Sequence, residues 1–277
     1  MIPILFAGNE KVFDGMVIAS LSIVKHHRGV LQIYLFTMDL TDVAPDYRPI
    51  SEGQRQYLEK IYHDVNPESR VLLVDVGTYY RETLLNAKNQ DNLYTPYSFL
   101  RLFADRVDFL PEKIIYLDTD TMLCGDISEL YEIELKDAEF AAVRDHYGRI
   151  FLGINYLNSG VLLLNLPKIR ETGLFRRALK KCAEKKIFLP DQTTINRLAL
   201  RKKILSRRFN EQHKCKKDTL VRHFSMTIRW FPKFRTQNIK PWHVENVHRV
   251  LKIHQFDDIL NDYLRRKPNF PTQKEGE

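Results

Sequence analysis

Cysteine is scarce in this sequence, and long apolar runs are missing. The 277 residues include three cysteines, Cys124, Cys182 and Cys215. None belongs to a C-x-x-C pair, which argues against a zinc knuckle, and the sparse, odd count indicates reduced thiols. No stretch approaches the roughly 18 apolar residues of a membrane span, and no basic segment precedes residues 2–7 as in a signal peptide. We therefore expect a cytoplasmic protein, soluble or peripheral at the inner face of the membrane.

Internal repeats and low-complexity linkers are also missing, which argues against two large domains. The composition, 44% hydrophobic and 28% charged, is that of a globular chain. We expect one α/β domain over residues 1–245, followed by a small helical appendage with a basic tail over residues 246–277. The net charge of +8 favours anionic partners such as nucleotides, nucleic acid or an acidic membrane surface, without choosing among them.

Short apolar runs alternate with segments of helical periodicity. This alternation is typical of strands buried between helices, so we predict a mostly parallel sheet covered on both faces. The predicted strands are residues 2–7, 31–36, 71–74, 113–117, 140–143 and 161–164. The predicted helices are residues 13–24, 51–62, 97–103, 174–183, 192–198 and, as a single amphipathic helix, 247–264.

Two aspartates, Asp118 and Asp120, directly follow the predicted strand 113–117. A D-x-D pair alone is a weak signal, since about one is expected by chance in such a chain. Ligands of open α/β sheets, however, bind at the carboxyl ends of strands, and two buried carboxylates are costly without a cation. The alternative is a helix-capping role, which Asp126 fits better because it precedes Ile127 and Ser128 at a helix start. We therefore predict a metal site.

His223 ends another β-like stretch, residues 219–224. A single histidine in such a place is more often a packed side chain than a ligand. Together with Asp118, Asp120 and diphosphate oxygens, however, it would complete a ligand set that suits Mn²⁺, with Mg²⁺ as a harder substitute.

A series of segments in a fixed order then resembles the retaining glycosyltransferases of family 8, which include bacterial lipopolysaccharide galactosyl- and glucosyltransferases and glycogenin. The segments run to about residue 242 and are ILFAGNE (4–10), SFLRL (98–102), IIYLDTDTML (114–123), YLNSGVLLLNL (156–166), PDQTTIN (190–196), SRRFN (206–210), RHF (222–224) and KPWH (240–243). The resemblance implies a single Rossmann-like domain with the A-type glycosyltransferase fold. It also implies transfer of galactose or glucose from a UDP-sugar to a saccharide or glycolipid acceptor, with retention of configuration.

The resemblance implies roles for individual residues on the donor side. The residues matching the loop that receives uracil and ribose are Ala7, Gly8 and Asn9. Arg101 matches an arginine that reaches the donor, and Lys240 matches the lysine on the β-phosphate. The residues matching the metal ligands are Asp118, which also lies near the ribose, Asp120 and His223.

The resemblance also implies which residues surround the sugar. Those matching residues that hold the transferred sugar are Asp145, Asn158 and Ser159. Asp191 and Gln192 match the pair on its acceptor side. A neutral amide such as that of Gln192 is a poor nucleophile, so front-face attack by the acceptor hydroxyl is favoured over a covalent adduct.

The stretch between His223 and Lys240 is longer than in the family pattern and lacks its glycine. Arg229 or Lys233 could therefore serve the phosphate instead of Lys240. Asn9 and Glu10 also differ from an acidic pair often found there, so another base than uracil stays open.

The basic stretch 197–217 holds nine Lys or Arg against one acidic residue. We expect mostly solvated surface there and in the basic residues 265–267, with docking on anionic lipid as the alternative. The aromatic residues of the long loop between His223 and Lys240, together with the tryptophan just after it, are expected mostly in the core. They are Trp230, Phe231, Phe234 and Trp242.

Three other functional classes compete with a glycosyltransferase. A sugar nucleotidyltransferase would use a similar aspartate site but usually has a Gly-rich loop with Arg, where this chain has AGNEK. A glycoside hydrolase needs two carboxylates flanking the scissile bond, and no motif supplies an acid that is not already committed to the metal. A nucleic-acid-binding protein would leave the aspartate pair unexplained, so we expect no nucleic-acid partner.

Overall fold

Seven strands form a mixed sheet at the centre of the structure, a computed structural model that describes residues 1–87, 95–229 and 235–267. The strands are β1 (Ile2–Ala7), β2 (Leu31–Thr37), β3 (Arg70–Asp75), β4 (Lys113–Leu117), β5 (Thr121–Leu123), β6 (Phe140–Arg144), β7 (Leu157–Asn165), β8 (Lys202–Leu205), β9 (Val221–His223), β10 (Thr227–Arg229) and β11 (Arg235–Gln237). The order in the large sheet is β3-β2-β1-β4-β7-β6-β8, and two small sheets pair β5 with β9 and β10 with β11.

The helices lie on both sides of the large sheet. They are α1 (Phe13–His26), α2 (Glu52–His63), α3 (Gly77–Leu84), α4 (Ser128–Tyr131), α5 (Gly148–Phe151), α6 (Leu166–Thr172), α7 (Leu174–Glu184), α8 (Pro190–Leu198), α9 (Val244–Asn246) and α10 (Asp257–Arg266). Three 3₁₀ segments span Glu10–Val12, Pro96–Arg106 and Arg207–Phe209. No helix in the described ranges is both long enough and apolar enough to cross a membrane.

Most neighbouring strands of the large sheet are parallel, as predicted. β1 pairs in parallel with β2 and β4, β2 with β3, and β6 with β8, whereas β7 runs antiparallel between β4 and β6. The carboxyl ends of β1, β4 and β6 therefore meet the start of β7 at one edge of the sheet. Ligands of open α/β sheets bind at this edge.

The apolar run of β1 is continuous because both of its faces are buried. Ile4 and Phe6 point into one core, which α1, α2 and α10 cover. Leu5 points into the other core, under the 3₁₀ helix Pro96–Arg106 and α7. This period of two is that of a strand.

Two helix starts follow directly from local chemistry. Ser51 Oγ accepts from Gln54 N at 3.2 Å, and Gln54 Oε1 accepts from Ser51 N at 2.9 Å, which is a capping box at the start of α2. Asp126 Oδ1 accepts from Ser128 N at 2.8 Å, so this carboxylate binds a backbone donor at the start of α4, although Ile127 stands at the N-cap position itself.

The single helix predicted for residues 247–264 is wrong. A π-helical turn spans Val247–Leu251, Lys252 takes a left-handed conformation with φ of 55°, and α10 begins at Asp257. The left-handed residue turns the chain, and the carboxylates of Asp257 and Asp258 favour a new helix start because they face the positive end of its dipole. The apolar residues of α10 pack in the core shared with α1, while the domain boundary at residue 245 stays a prediction.

Candidate active site

Asp118, Asp120 and His223 converge at the edge where β4 ends. β5 pairs antiparallel with β9 and places Thr121 opposite His223, so the imidazole lies beside the adjacent Asp120. His223 Nε2 lies 3.1 Å from Asp120 Oδ1 and 3.7 Å from Asp118 Oδ2. Each of the three residues offers one ligand atom, and these atoms lie within 4.8 Å of one another. The sequence-predicted metal ligands are thus brought together.

Gly160 of β7 forms one wall of this cluster. A Cβ atom at this position would lie 2.2 Å from His223 Cε1 and 2.7 Å from Asp118 Oδ2. The Gly160 carbonyl also accepts from Asp118 N at 2.7 Å. A glycine inside a strand often marks such a close approach, and here it leaves room for the imidazole and the carboxylate to face each other.

The candidate ligand Asp120 is held in its ionised form by its neighbours. Burial by itself raises the pKa of Asp120, but Lys240 and His223 outweigh it and hold that pKa far below its usual value. Lys240 Nζ lies 2.5 Å from Asp120 Oδ2. On the other side, His223 Nδ1 lies 3.2 Å from Asn210 Oδ1. If Nδ1 carries the proton, Asn210 fixes the tautomer that leaves the Nε2 lone pair facing the aspartates.

Arg101 is buried between two carboxylates. Its Nη2 lies 3.0 Å from Asp118 Oδ1, and its Nε lies 3.5 Å from Asp191 Oδ2. Nη1 donates to the Ser159 carbonyl at 2.5 Å. Burial raises the pKa of Asp191 above its ordinary value, although Arg101 opposes the shift. The guanidinium therefore ties Asp118, one of the candidate metal ligands, to Asp191 of α8.

Asp145 and Gln192 contact each other at the same edge of the sheet. Asp145 Oδ2 accepts from Asn158 Nδ2 at 2.8 Å and from Gln192 Nε2 at 3.3 Å. Gln192 Oε1 accepts from Ser159 N at 2.8 Å and from Ser159 Oγ at 3.1 Å. Asn158, Ser159 and Gln192 are buried. The polar groups predicted to surround a sugar thus form one hydrogen-bonded network.

The loop after β1 lies at the same edge, because β1 is the direct neighbour of β4. Gly8 N donates to the Phe36 carbonyl at 3.0 Å, and Asn9 is buried. A Cβ atom on Gly8 would lie 2.4 Å from Val12 Cγ2, so the turn is closely packed. Ala7, Gly8 and Asn9 therefore lie at the sheet edge where Asp118 and Asp120 follow β4.

A family model described as glycosyl transferase family 8 matches residues 3–246. The chain belongs to this family. Because the chain belongs to a glycosyltransferase family, the nucleotidyltransferase, hydrolase and nucleic-acid-binding alternatives are rejected.

This family 8 chain has relatives among bacterial glycosyltransferases. It is 34% identical over 101 residues to the probable glycosyl transferase Gly of Streptococcus gordonii, covering 35% of this chain and 14% of that protein. It is 28% identical over 166 residues to glycosyltransferase GlyE of Streptococcus pneumoniae, covering 60% and 36%. Over 180 residues it is 28% identical to the lipopolysaccharide 1,2-glucosyltransferase of Escherichia coli, covering 56% and 51%. The matches thus span about half or less of these relatives' own lengths.

Solved structures show the same fold. The galactosyltransferase LgtC, in complex with donor and acceptor sugar analogs, has a TM-score of 0.62 at 17% identity and covers 94% of this chain and 96% of its own. GlyE of Streptococcus pneumoniae has a TM-score of 0.60 at 19% identity, covering 99% of this chain and 67% of its own. The predicted A-type glycosyltransferase fold, with its mostly parallel sheet, is confirmed.

Two residues of this family 8 site were not singled out by sequence reasoning. Gly160 and Asn210 both lie within segments that carry the resemblance, NSG and SRRFN. The signal for Gly160 was a glycine inside a predominantly apolar segment that reads as a strand. Nothing in the sequence alone indicated that Asn210 would contact His223.

Part of the long loop lies outside the described residues. This applies to Lys233 and the three aromatic residues Trp230, Phe231 and Phe234, and to the side chain of Arg229. Trp242 is partly buried against the core, and a Cβ atom on Gly15 would lie 2.5 Å from Trp242 Cζ3. The expectation of core packing is thus confirmed for Trp242.

Proposed function

We propose that this family 8 enzyme transfers a hexose, galactose or glucose, from a UDP-sugar to a saccharide or glycolipid acceptor with retention of configuration, and that it requires Mn²⁺ or Mg²⁺. The observation that carries the proposal is the cluster of Asp118, Asp120 and His223, whose ligand atoms lie within 4.8 Å of one another at the binding edge of the sheet. We further propose that it works in the cytoplasm, in the synthesis of lipopolysaccharide or another cell-surface glycan.

The donor set of this cluster fits a divalent cation. Two carboxylates and one imidazole suit Mn²⁺, with Mg²⁺ as the harder substitute. The wall at Gly160 leaves space that a Cβ atom would fill. A cation held there would stabilise the negative charge that develops on a departing diphosphate. Asp120 is kept ionised by its neighbours and is therefore ready to bind the cation at neutral pH.

Lys240 offers a second positive charge at the same place. Its ammonium group donates to Asp120 Oδ2 and, at 3.3 Å, to the Phe224 carbonyl. This position beside the metal ligands supports the proposed contact with the β-phosphate. A fixed ammonium group stabilises a leaving group where its charge appears, with little reorganisation.

The network around Gln192 favours front-face transfer. The amide oxygen is neutral and already accepts two hydrogen bonds from Ser159, so it is a weak nucleophile toward an anomeric carbon. In the proposed step, the acceptor hydroxyl forms its bond to the anomeric carbon while the bond to the phosphate oxygen breaks. The proton of that hydroxyl passes to the departing diphosphate on the same face. Asp145 and Asn158 would hold the sugar hydroxyls during this step.

The relatives support a saccharide or glycolipid acceptor. The Escherichia coli relative is a lipopolysaccharide 1,2-glucosyltransferase, and LgtC is a galactosyltransferase solved with donor and acceptor sugar analogs. Glucose and galactose differ only in the orientation of one hydroxyl group, so the proposal includes both as donor sugars.

UDP release from UDP-glucose and UDP-galactose tests the proposed function. The full chain is assayed with EDTA and with Mn²⁺, beside the Asp120→Asn and His223→Ala variants. His254→Ala serves as a matched control, because His254 also lies next to an aspartate, Asp257, but on the exposed surface. We expect metal-dependent release that is lost in both site variants and kept in the control. Release that is independent of metal, or normal turnover by His223→Ala, would reject the proposal.

A further inference from the structure

A short loop next to the active site exposes four large apolar side chains. This apolar loop comprises residues 148–155, with α5 at its start. The exposed fraction is 66% for Ile150, 61% for Phe151, 39% for Leu152 and 73% for Ile154. Single exposed apolar residues are ordinary, but a contiguous patch of them marks an interaction surface.

Most backbone amides in the first half of the apolar loop donate hydrogen bonds to carbonyl groups of the loop or of the residues just before it. Ile150 N donates to the Tyr147 carbonyl at 2.9 Å, and Leu152 N donates to the Gly148 carbonyl at 2.7 Å. Tyr156 N closes the loop on the Gly153 carbonyl at 2.8 Å. Backbone amides with such partners can enter a poorly hydrated environment without losing hydrogen bonds. The loop is thus a formed turn with its apolar side chains outward.

In the described part of the chain, arginines supply the exposed charge next to the apolar loop. Arg144 and Arg149 are exposed, and together with Arg207 and His146 they line a cavity of about 100 Å³. Burial lowers the pKa of His146, and the nearby Arg207, His213 and Arg149 lower it further, which reflects the positive field. The acidic neighbours are turned away from this surface. Asp145 faces Asn158, and the buried Glu211 pairs with Arg207.

Asp145 links the apolar loop to the active site. Its Oδ1 accepts from Tyr147 N at 3.1 Å and from Gly148 N at 2.6 Å, at the base of the loop. Its Oδ2 accepts from Asn158 and Gln192 inside the site. The same carboxylate therefore fixes both, and a surface bound by the loop would lie close to the cleft.

We propose that the apolar loop inserts into the interfacial region of an anionic phospholipid bilayer and so holds the active site over acceptors in the membrane. Apolar side chains flanked by arginines match such an interface, with the apolar groups at the acyl boundary and the guanidinium groups at the phosphates. A second copy of the chain fits this surface less well, because a twofold contact would bring the same arginines together. The statement about acceptors rests on the proposed function, whereas the docking does not.

Vesicle flotation of the full chain tests this surface. The vesicles are phosphatidylcholine alone or phosphatidylcholine with phosphatidylglycerol. The test variants are the double variant Ile150→Ser with Phe151→Ser, and Arg149→Glu. Phe109→Ser is the matched control, because Phe109 is 62% exposed but lies before the start of β4, at the opposite edge of the sheet.

We expect the wild type and Phe109→Ser to bind the anionic vesicles. Both test variants should bind at least tenfold more weakly, and added salt should weaken wild-type binding. Equal flotation of the wild type and the double variant would overturn the proposal. So would a dimer in light scattering that the double variant loses, since the loop would then be a contact between copies. Metal-dependent UDP release without acceptor is measured on every variant and should not change, which separates failure of the docking from failure of the proposed chemistry.

Discussion

The ammonium group of Lys240 lies 2.5 Å from Oδ2 of Asp120, while His223 Nε2 lies 3.1 Å from the other oxygen of that carboxylate. One aspartate therefore joins a predicted phosphate-binding lysine to a predicted metal ligand. The pairing keeps the buried carboxylate ionised, with its pKa far below the usual value. It also means that a cation arriving at the site must share Asp120 with Lys240.

Replacing Lys240 with alanine should lower kcat by about tenfold or more, since a lost charge-stabilising contact is worth on the order of 2–4 kcal/mol at a transition state. The affinity for Mn²⁺ should stay the same or rise, because a competing cation has left Asp120. UDP release gives kcat, and electron paramagnetic resonance of free Mn²⁺ gives the metal affinity.

Lys25→Ala is the matched control. Lys25 also pairs with an aspartate, Asp258, but both side chains are exposed at the surface. Arg229→Ala and Lys233→Ala are measured in parallel. If Lys240→Ala keeps the wild-type kcat and one of these two does not, the phosphate contact belongs to the other cation. Normal kcat for all three would show that the loop supplies no catalytic charge.

Gly160→Ala should disable the metal site without removing any ligand. The added Cβ would meet His223 Cε1 and Asp118 Oδ2 at less than normal contact distance, so the imidazole must move away from the aspartates. We expect at least a hundredfold weaker Mn²⁺ binding, and a loss of about 1–3 kcal/mol of stability from overpacking. Isothermal titration with Mn²⁺ and urea unfolding measure the two effects.

The control for this variant is Gly125→Ala, whose Cβ would meet only the end of the flexible Leu220 side chain closely, at 3.0 Å. It should bind Mn²⁺ like the wild type. Unchanged metal binding in Gly160→Ala would contradict the role of Gly160 as a wall of the site.

Arg101→Met should destabilise the fold strongly, because it leaves Asp118 and Asp191 without their shared cation. Removing one partner of a buried ion pair lowers the free energy of unfolding by about 3 kcal/mol or more. Arg101→Lys should lose less stability than Arg101→Met, because it keeps a positive charge. It should still be less stable than the wild type, since one ammonium group cannot reach both carboxylates as the guanidinium does. Urea unfolding measures the difference, and adding Asp191→Asn to Arg101→Met should recover part of it. No recovery would show that Arg101 stabilises the fold through packing instead.

The strands and the aspartate pair could be predicted because their signals are local. The strand predicted at 113–117 matches β4 at both ends, since an apolar run followed directly by two acidic residues defines it. The mostly parallel sheet followed from the alternation of such runs with helical periodicity. The family segments then identified the candidate ligands Asp118, Asp120 and His223.

Other features depend on neighbours that are distant in the chain. His223 reaches Asp120 only because β9 pairs with β5, and no pattern of either short strand specifies that partner. The break at Lys252 was missed because the apolar spacing of residues 247–264 continues across it, and the spacing does not report a left-handed residue. The apolar loop was missed because exposure of Phe151 depends on which surface the fold leaves open.

An α-linked UDP-sugar should give an α-linked product. The amide of Gln192 is hydrogen-bonded to Ser159 and Asp145, and in the proposed front-face transfer it orients the site without forming a covalent bond. Gln192→Ala should therefore transfer more slowly but keep the α configuration. The coupling constant of the anomeric proton in the product decides the stereochemistry. A β-linked product from either enzyme would contradict front-face transfer.

Asp105, in the 3₁₀ helix Pro96–Arg106, should make the stability depend on pH. Its Oδ1 is buried and accepts no hydrogen bond from the described part of the chain. Burial raises its pKa to about 6, against the opposing effect of Arg106 and Arg170. The folded state therefore holds the proton more tightly than the unfolded state does. Its stabilising effect is complete below the unfolded pKa near 4 and is lost as the pH rises through about 6.

Asp105→Asn should remove this loss, because an amide of the same shape has no charge to bury. At pH 8 the variant should be more stable than the wild type by about 1–3 kcal/mol, since each unit of pKa shift corresponds to about 1.4 kcal/mol. Near pH 4 the two should be equally stable. Urea unfolding at both pH values measures the difference, with Asp108→Asn as the control because Asp108 is exposed. An equal difference at both pH values would mean that the amide acts through packing and that the carboxyl group of Asp105 does not titrate with folding.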